Sequence, residues 1–329
     1  MKLLTSLCCA MAVLALAGCG QKTDEKVLTI AVIPKGTTHE FWKSIHAGAV
    51  QAQQEMAAKG VKVDVIWKGP FREDDRDQQI QVVENFTSRN VSGIVLAPLD
   101  SQALVSPVNS AVQAGIPVVI MDSALKSDQY LSFVATDNFK GGQLAGEYLA
   151  KLLDGKGNVI MLRYAVGSAS TEAREQGFLD AMGKFPGIKL ISTDQYAGAT
   201  VETAYQASQN LLNRFGNEVN GVFCVAEPAT IAMTKALRDI GKAGGKVKMI
   251  GFDAGTQSVL DMKNGDVQGL AVQHPMLMGY LAVMTMVKHL QGQPVEKRID
   301  TGVVLISPDN MNMPENQELL HPPLDKYLK

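Results

Sequence analysis

The strongest constraint on the fold is an alternation of short, β-branched apolar runs with helical patterns, which begins near residue 27. Between the runs, segments such as 40–59 and 77–89 place apolar residues at three- and four-residue spacing. This alternation predicts right-handed βαβ units and a parallel sheet with helices on both faces. The predicted strands of the first half are 28–33, 61–66, 93–97, 116–121 and 131–135.

The same alternation restarts after the pair Gly141-Gly142, so the chain is predicted to contain two doubly wound α/β lobes, each with its own core. A long helical pattern at 275–290 precedes a last apolar run at 301–306. This order is compatible with a chain that returns to both lobes late and crosses between them three times. The predicted strands of the second half are 158–162, 189–193, 221–225, 246–250 and 267–272.

The N-terminus has the features of a bacterial secretion signal. Lys2 supplies a positive charge, residues 3–16 are almost entirely apolar, and the segment 16–19, Leu-Ala-Gly-Cys, looks like a lipobox. We therefore expect a signal peptide at 1–18, acylation of Cys19, and a polar tether at 19–26. The mature protein would be anchored by lipid to the extracytoplasmic face of a bacterial membrane. Cys224 would then be its one remaining cysteine besides Cys19, and its apolar run predicts a buried strand position.

Composition and motifs limit the function. With 31 Lys and Arg against 33 Asp and Glu, the net charge of −2 provides no broad attraction to nucleic acid. The sequence has no phosphate-binding P-loop, no nucleophile elbow, no His-Glu-x-x-His and no cysteine pair for zinc. We therefore expect no cofactor, no metal and no enzymatic activity, and a small neutral partner.

Polar and aromatic side chains follow successive predicted strands, and ligands of open parallel sheets bind beyond the carboxyl ends of strands. Carboxylates, Arg and Lys form strong hydrogen bonds with hydroxyl groups, and aromatic rings stack on the C–H faces of sugars. This mixture suits a polyhydroxylated ligand. By contrast, we expect the charged run at 72–77 to begin a solvated helix. The candidate ligand-binding residues are Lys35, His39, Phe41, Trp42, Asp122, Ser123, Thr136, Arg174, Glu227, Asp253 and Gln273.

Several segments resemble the type I periplasmic sugar-binding proteins, the ribose-binding family that serves ABC importers. The resemblance covers essentially all of 27–306, and its order and spacing are more specific than any single segment. It implies two lobes joined by a three-crossing hinge, formed by 27–136 with 274–300 and by 137–273 with 301–329. The segments that carry it are 30–34 with Phe41-Trp42, 93–98, 115–122, 134–138, 173–178 and 251–253.

The resemblance also implies roles for individual residues. Phe41 and Trp42 would stack on the sugar, and Thr136 and Gln273 would lie where the cleft meets the hinge. The sugar hydroxyls would be bound by Asp122, Arg174 and Asp253.

The chain departs from the ribose binders at three positions, which puts ribose itself in doubt. His39 stands where they have Asn, Ser123 where they have Arg, and Ala226-Glu227 where they have Asn-Asp. Lys35 looks like the opening loop of autoinducer-2-binding proteins and is expected to donate to a ligand oxygen.

The resulting hypothesis is a monomeric solute-binding lipoprotein that captures a sugar or polyol by lobe closure and delivers it to an ABC permease complex. Two alternatives stay open. One is a receptor that presents autoinducer-2 or a sugar to a signalling partner, and the other is a sugar-processing enzyme on the same scaffold.

Overall fold

A computed structural model of the protein describes residues 27–328. The predicted signal peptide, Cys19 and the tether lie outside the described residues. The described chain contains twelve strands in two sheets. In chain order they are β1 Leu28–Ile33, β2 Val63–Trp67, β3 Gly93–Leu96, β4 Val118–Met121, β5 Ser132–Ala135, β6 Lys156–Leu162, β7 Gly187–Ser192, β8 Gly221–Cys224, β9 Lys248–Phe252, β10 Gly269–Gln273, β11 Arg298–Asp300 and β12 Val303–Ile306.

Helices connect most of these strands and cover both faces of each sheet, which produces four apolar core clusters, two per sheet. The strands that lie inside the sheets are buried on both faces, as their continuous apolar runs require. The helices are α1 Glu40–Ala58, α2 Arg76–Ser88, α3 Val105–Gln113, α4 Asn138–Leu152, α5 Ala169–Met182, α6 Val201–Phe215, α7 Glu227–Asp239, α8 Thr256–Lys263, α9 Pro275–Leu290 and α10 Pro314–Leu320, followed by a 3₁₀ turn at Leu324–Lys326.

The two sheets have corresponding strand orders. The first is β11-β5-β4-β3-β1-β2 and is parallel throughout. The second is β12-β10-β9-β8-β6-β7, in which only the edge strand β12 runs antiparallel to its neighbour. The predicted fold of two doubly wound α/β lobes is therefore confirmed. The second sheet is mixed instead of purely parallel, because its edge strand β12 is antiparallel.

The chain passes between the sheets three times: from β5 to α4, from β10 to α9, and from β11 to β12. At one crossing the Thr136 hydroxyl donates to the carbonyl of Gly302 at 3.3 Å and lies 3.4 Å from the Thr301 hydroxyl. A hydrogen bond between two crossings ties these strands of the hinge together.

Each lobe contains one close helix crossing that depends on glycine. In the first lobe, a Cβ on Gly48 of α1 would lie 1.9 Å from the Met276 carbonyl oxygen of α9, and one on Gly279 would lie 2.1 Å from the Ile45 carbonyl oxygen. In the second lobe, Gly142 of α4 and Gly177 of α5 meet in the same way, at 2.0 and 1.9 Å from carbonyl oxygens. These contacts fix the positions of α1 and α5, whose N-terminal turns face the cleft.

Three local findings complete the fold. Cys224 is buried and free, as its apolar run predicted. Strand β11, which has charged residues at both ends, was not predicted. Among residues 27–328, no helix combines the length and apolar character needed to cross a membrane.

Candidate functional site

The loops at the carboxyl ends of the strands face each other between the lobes and enclose a cavity of about 390 Å³, including its opening. Nine of the eleven predicted ligand-binding residues line this cavity. They come from both lobes, so a molecule bound here would touch both. The nine are Lys35, His39, Phe41, Trp42, Asp122, Arg174, Glu227, Asp253 and Gln273.

Lys35 lies in the loop after β1 and is only 4% exposed. Its ammonium group is 3.2 Å from the carboxylate of Asp122 in the same lobe. It also donates to two hydroxyls of the second lobe, Ser170 at 3.0 Å and Ser168 at 3.3 Å. Lys35 is therefore an interlobe residue whose charge is compensated by Asp122.

The carboxylate of Glu73 lies at the wall of the cavity and contacts three hydrogen-bond donors. It accepts from the Trp42 indole at 2.8 Å and from the Tyr164 hydroxyl of the second lobe at 2.7 Å, and it forms an ion pair with His39. Burial opposes both charged forms, but the His39 contact holds the pKa of Glu73 below its ordinary value and that of His39 above its own. Both shifts favour the ionised pair. Glu73 also links the lobes through Tyr164.

The first-turn aromatics of α1 differ in their environment. Trp42 is buried in the core of the first lobe, with its indole N–H directed to Glu73. Phe41 is partly exposed, lines the cavity, and packs edge-on against Trp42 with ring centroids 5.0 Å apart. Both rings line the cavity, and Phe41 is the more exposed of the two.

Arg174 of α5 is buried against the second sheet. It donates to the Asn138 side chain at 2.8 Å and to the Val225 carbonyl at 2.9 Å, and its guanidinium lies over the Phe252 ring. Asp253 is 3.7 Å away and accepts from Gln273 at 2.8 Å. Burial lowers the pKa of Arg174 and raises the pKa of Asp253, and their mutual attraction opposes both shifts.

Asp122 and Asp253 occupy equivalent places in the two lobes. Each directly follows a buried strand, adopts a left-handed backbone with φ of 61° or 67°, and donates its N–H to the next strand. Aspartate tolerates this conformation better than most side chains. The turn directs each carboxylate into the cleft instead of along the sheet edge.

Glu227 begins α7 and is 8% exposed. Burial, together with the nearby charge of Asp253, raises its pKa to about 8, so the carboxyl is protonated at neutral pH. Its Oε2 atom, like Oε1 of Gln273, is buried without a hydrogen-bond partner within residues 27–328. Both atoms are at the cavity wall, where a ligand could satisfy them.

The two remaining predicted residues do not line the cavity. Ser123 is fully buried, and its hydroxyl accepts the backbone N–H of Ser170 at 3.1 Å across the cleft. Thr136 lies at the hinge crossing described above. Their contacts join lobes or strands and do not reach the cavity.

The prediction of a solvated charged run at 72–77 is wrong for Glu73. Helix α2 begins at Arg76 with Asp75 as its cap, so Glu73 lies in the preceding loop, where it turns into the cleft and 8% of its side chain remains exposed. Sequence reasoning also missed Tyr164, which follows β6, and did not single out Ser170 or Thr171 at the start of α5. The position of Tyr164 after a strand was an available signal, whereas Glu73 had no signal to distinguish it from its charged neighbours.

The ionised groups of the cavity form three cation–carboxylate pairs: Lys35 with Asp122, His39 with Glu73, and Arg174 with Asp253. Because the fourth carboxyl, Glu227, is protonated near neutral pH, the positive and negative charges balance. Such pairs keep strong donors and acceptors in a buried place without favouring an ionic ligand.

Comparison with known proteins agrees with this geometry. Residues 30–294 match the family model of the periplasmic binding protein domain. The chain belongs to the periplasmic binding protein family. The resemblance to its ribose-binding branch is confirmed by a D-ribose/D-allose-binding protein of Pseudomonas aeruginosa, 32% identical over 88% of this chain and 90% of that relative.

Two solved solute-binding proteins share the fold closely. A carbohydrate transporter solute-binding protein of Agrobacterium radiobacter, in complex with D-arabinose, has a TM-score of 0.83 and 32% identity over 89% of this chain and 99% of its own. An ABC transporter solute-binding protein of Agrobacterium vitis with bound D-fucose has the same TM-score and 34% identity, over 89% of this chain and 100% of its own.

Proposed function

We propose that this periplasmic binding protein captures a neutral sugar or sugar-like polyol between its lobes and delivers it to an ABC importer. The observation that carries the proposal is the cavity with three largely buried, charge-balanced ion pairs drawn from both lobes. Paired charges suit a ligand with many hydroxyls and no charge. The names of its relatives, which bind ribose, allose, arabinose and fucose, support the same class.

Binding would favour the closed arrangement, because only this arrangement brings the groups of both lobes to one ligand. In the structure the lobes already touch across the cleft: Tyr164 donates to Glu73, and the backbone N–H of Thr256 donates to Glu40 at 2.6 Å. We assign 27–136 with 274–300 to the first lobe and 137–273 with 301–329 to the second. The permease would recognise the closed pair of lobes.

The individual roles follow from position. Phe41 would stack on the sugar ring, and Asp122, Asp253 and Arg174 would bind its hydroxyls, while Lys35 would supply a further donor. Glu227 and Gln273 would satisfy their free oxygen atoms with the ligand. We propose that Ser123 and Thr136 support the closed arrangement without contacting the sugar.

We also propose secretion by the signal peptide at 1–18 and lipid anchoring through Cys19. Acyl chains on this residue would hold the protein at a membrane surface while the lobes remain in water. Replacing Cys19 by Ala should release the protein from the membrane fraction and abolish incorporation of radioactive palmitate. Labelling that persists in the variant would contradict the assignment.

The ligand proposal is tested by calorimetry of the purified mature protein with D-ribose, D-allose, D-arabinose, D-fucose, myo-inositol and autoinducer-2. We expect tight binding of at least one sugar or polyol, and mass spectrometry should recover it unchanged. Turnover would favour an enzyme, and exclusive binding of autoinducer-2 would favour a signalling receptor. Binding of none of the compounds would contradict the proposal.

Two variants test the site itself. Asp122→Asn and Asp253→Asn keep a side chain that tolerates the left-handed turn but remove the charge, and each should weaken binding at least tenfold. Asp74→Asn is the matched control, because Asp74 is exposed and pairs only with Arg72 among its described ionic partners. If both site variants bind as tightly as this control, the cavity is not the sugar site.

A further inference from the structure

A second cavity, here called the annex, adjoins the interlobe cavity. It encloses about 740 Å³, a volume that includes its opening to solvent. The two cavities share Phe41, Glu227, Asp253 and Gln273. These four side chains therefore form the boundary between the two cavities.

The annex differs chemically from the interlobe cavity. Three polar residues of its wall satisfy each other: the Glu40 carboxylate accepts both the N–H and the hydroxyl of Thr256, and the Ser44 hydroxyl donates to the Glu40 carbonyl. Much of the remaining wall is apolar, from Phe41, Pro275 and the C-terminal segment with Leu320, Pro322 and Leu324. Such a wall favours a hydrocarbon group over a second set of hydroxyls.

The boundary between the cavities carries two of the six buried side-chain atoms that have no hydrogen-bond partner within residues 27–328, Oε2 of Glu227 and Oε1 of Gln273. Both side chains are more than nine-tenths buried. A ligand with a polar atom at the boundary would satisfy them, with a hydroxyl-rich part on one side and an apolar part on the other. A glycoside has this order of groups, with its glycosidic oxygen and neighbouring hydroxyl between sugar ring and aglycone.

We propose that the annex is a subsite for a small apolar aglycone, so that the protein binds glycosides as well as, or better than, the free sugar. The proposal rests on the proposed sugar-binding function, since the ion pairs must hold the sugar ring. It adds a requirement that sugar binding alone does not impose: a substituent of the anomeric oxygen must be accepted within the closed protein.

The test compares free D-ribose, D-allose, D-arabinose and D-fucose with the α and β anomers of their methyl and phenyl glycosides, by calorimetry on the mature protein. For a sugar that binds, we expect one phenyl anomer to bind at least tenfold more tightly than the free sugar, with the methyl glycoside between them. Ser44→Phe should fill the annex, so that the phenyl glycoside no longer binds more tightly than the free sugar. The affinity for the free sugar should change less than twofold.

A second variant keeps the test independent of the folding of Ser44→Phe. Leu324 is a partly exposed residue of the annex wall, and Leu324→Ala should reduce the ratio of phenyl-glycoside affinity to free-sugar affinity at least threefold. Leu277 is an exposed leucine outside the annex, and Leu277→Ala should not change this ratio. If the free sugars bind but every glycoside is excluded, or if neither annex variant reduces this ratio, the annex proposal fails and the sugar site stands. If neither sugars nor glycosides bind, both proposals fail.

Discussion

At the scale of single residues, the buried carboxyl of Glu227 couples the cavity to pH. Burial and the charge of Asp253 raise its pKa from 4.5 to about 8, so the folded protein retains a proton that the unfolded chain releases. Between these two values the folded state binds more protons than the unfolded state. The contribution of Glu227 to stability is therefore fully present below about pH 4.5 and is lost as the pH rises through about 8.

We predict that the free energy of unfolding of the wild type falls, relative to Glu227→Gln, by roughly 2–4 kcal/mol between pH 5 and pH 9. Glutamine has a similar shape and does not titrate, so subtracting its curve removes the contributions of the other groups. Urea denaturation at four or five pH values measures the difference. Parallel curves for the two proteins would show that Glu227 is ionised in the folded state.

Single residues also mark where sequence reasoning reached its limit in the site. Asp122 and Asp253 could be identified because each follows a predicted strand, and ligands of open parallel sheets bind beyond the carboxyl ends of strands. Glu73 could not, because its sequence neighbours Arg72 and Asp74 are equally polar and remain exposed. Its burial is decided by Trp42, His39 and Tyr164, which are 31 residues or more distant along the chain.

At the scale of elements, the strands were predictable where both faces are buried, because a short continuous apolar run between turn residues is typical of a strand covered on both sides. Helix α9 was predicted over its observed length of Pro275–Leu290. Strand β11 was missed because its three residues are exposed or partly exposed at a sheet edge, so that burial leaves no pattern in its sequence. Strand β12 is antiparallel to β10 because it begins at the hinge, where β10 ends, and a local sequence pattern does not encode this direction.

The close helix crossings give a prediction at the same scale. Gly48→Ala should destabilise the protein by about 2–3 kcal/mol, because the new methyl group would meet a backbone carbonyl of α9, which can move only if the helices separate. Gly183→Ala is the control, since Gly183 has φ of −59° and no atom nearer than 3.5 Å to the added carbon. Thermal unfolding of both variants measures the effect, and equal losses would mean that the crossing is not tightly packed.

At the scale of the whole molecule, closure depends on contacts outside the cavity as well as on the ligand. The backbone N–H of Ser101 in the first lobe donates to the Gly167 carbonyl of the second at 2.9 Å. Beside this bond, the Asp100 carboxylate is held by Arg76 at 2.9 Å and by two backbone N–H groups at 2.8 Å. The rim of one lobe therefore presents a fixed surface to the other.

Gly167→Ala should obstruct closure without altering the cavity. A Cβ at this position would lie 2.5 Å from the restrained Asp100 carboxylate, and neither residue lines the cavity or the annex. We expect sugar affinity to fall at least tenfold, and small-angle X-ray scattering to show a larger radius of gyration than the wild type has at saturating sugar. The physical reason is that the ligand must now offset the strain of the closed rim.

The matched control separates this effect from backbone strain. Gly265, like Gly167, has a left-handed backbone, with φ of 80° against 88°, but nothing lies within 4 Å of its added Cβ. Gly265→Ala should therefore lower the free energy of unfolding by about 1–2 kcal/mol, because alanine is strained in a left-handed backbone. The sugar affinity and the radius of gyration should stay unchanged. If Gly167→Ala also binds sugar with wild-type affinity, the rim contact does not limit closure, and the ligand's own bonds to the two lobes determine it.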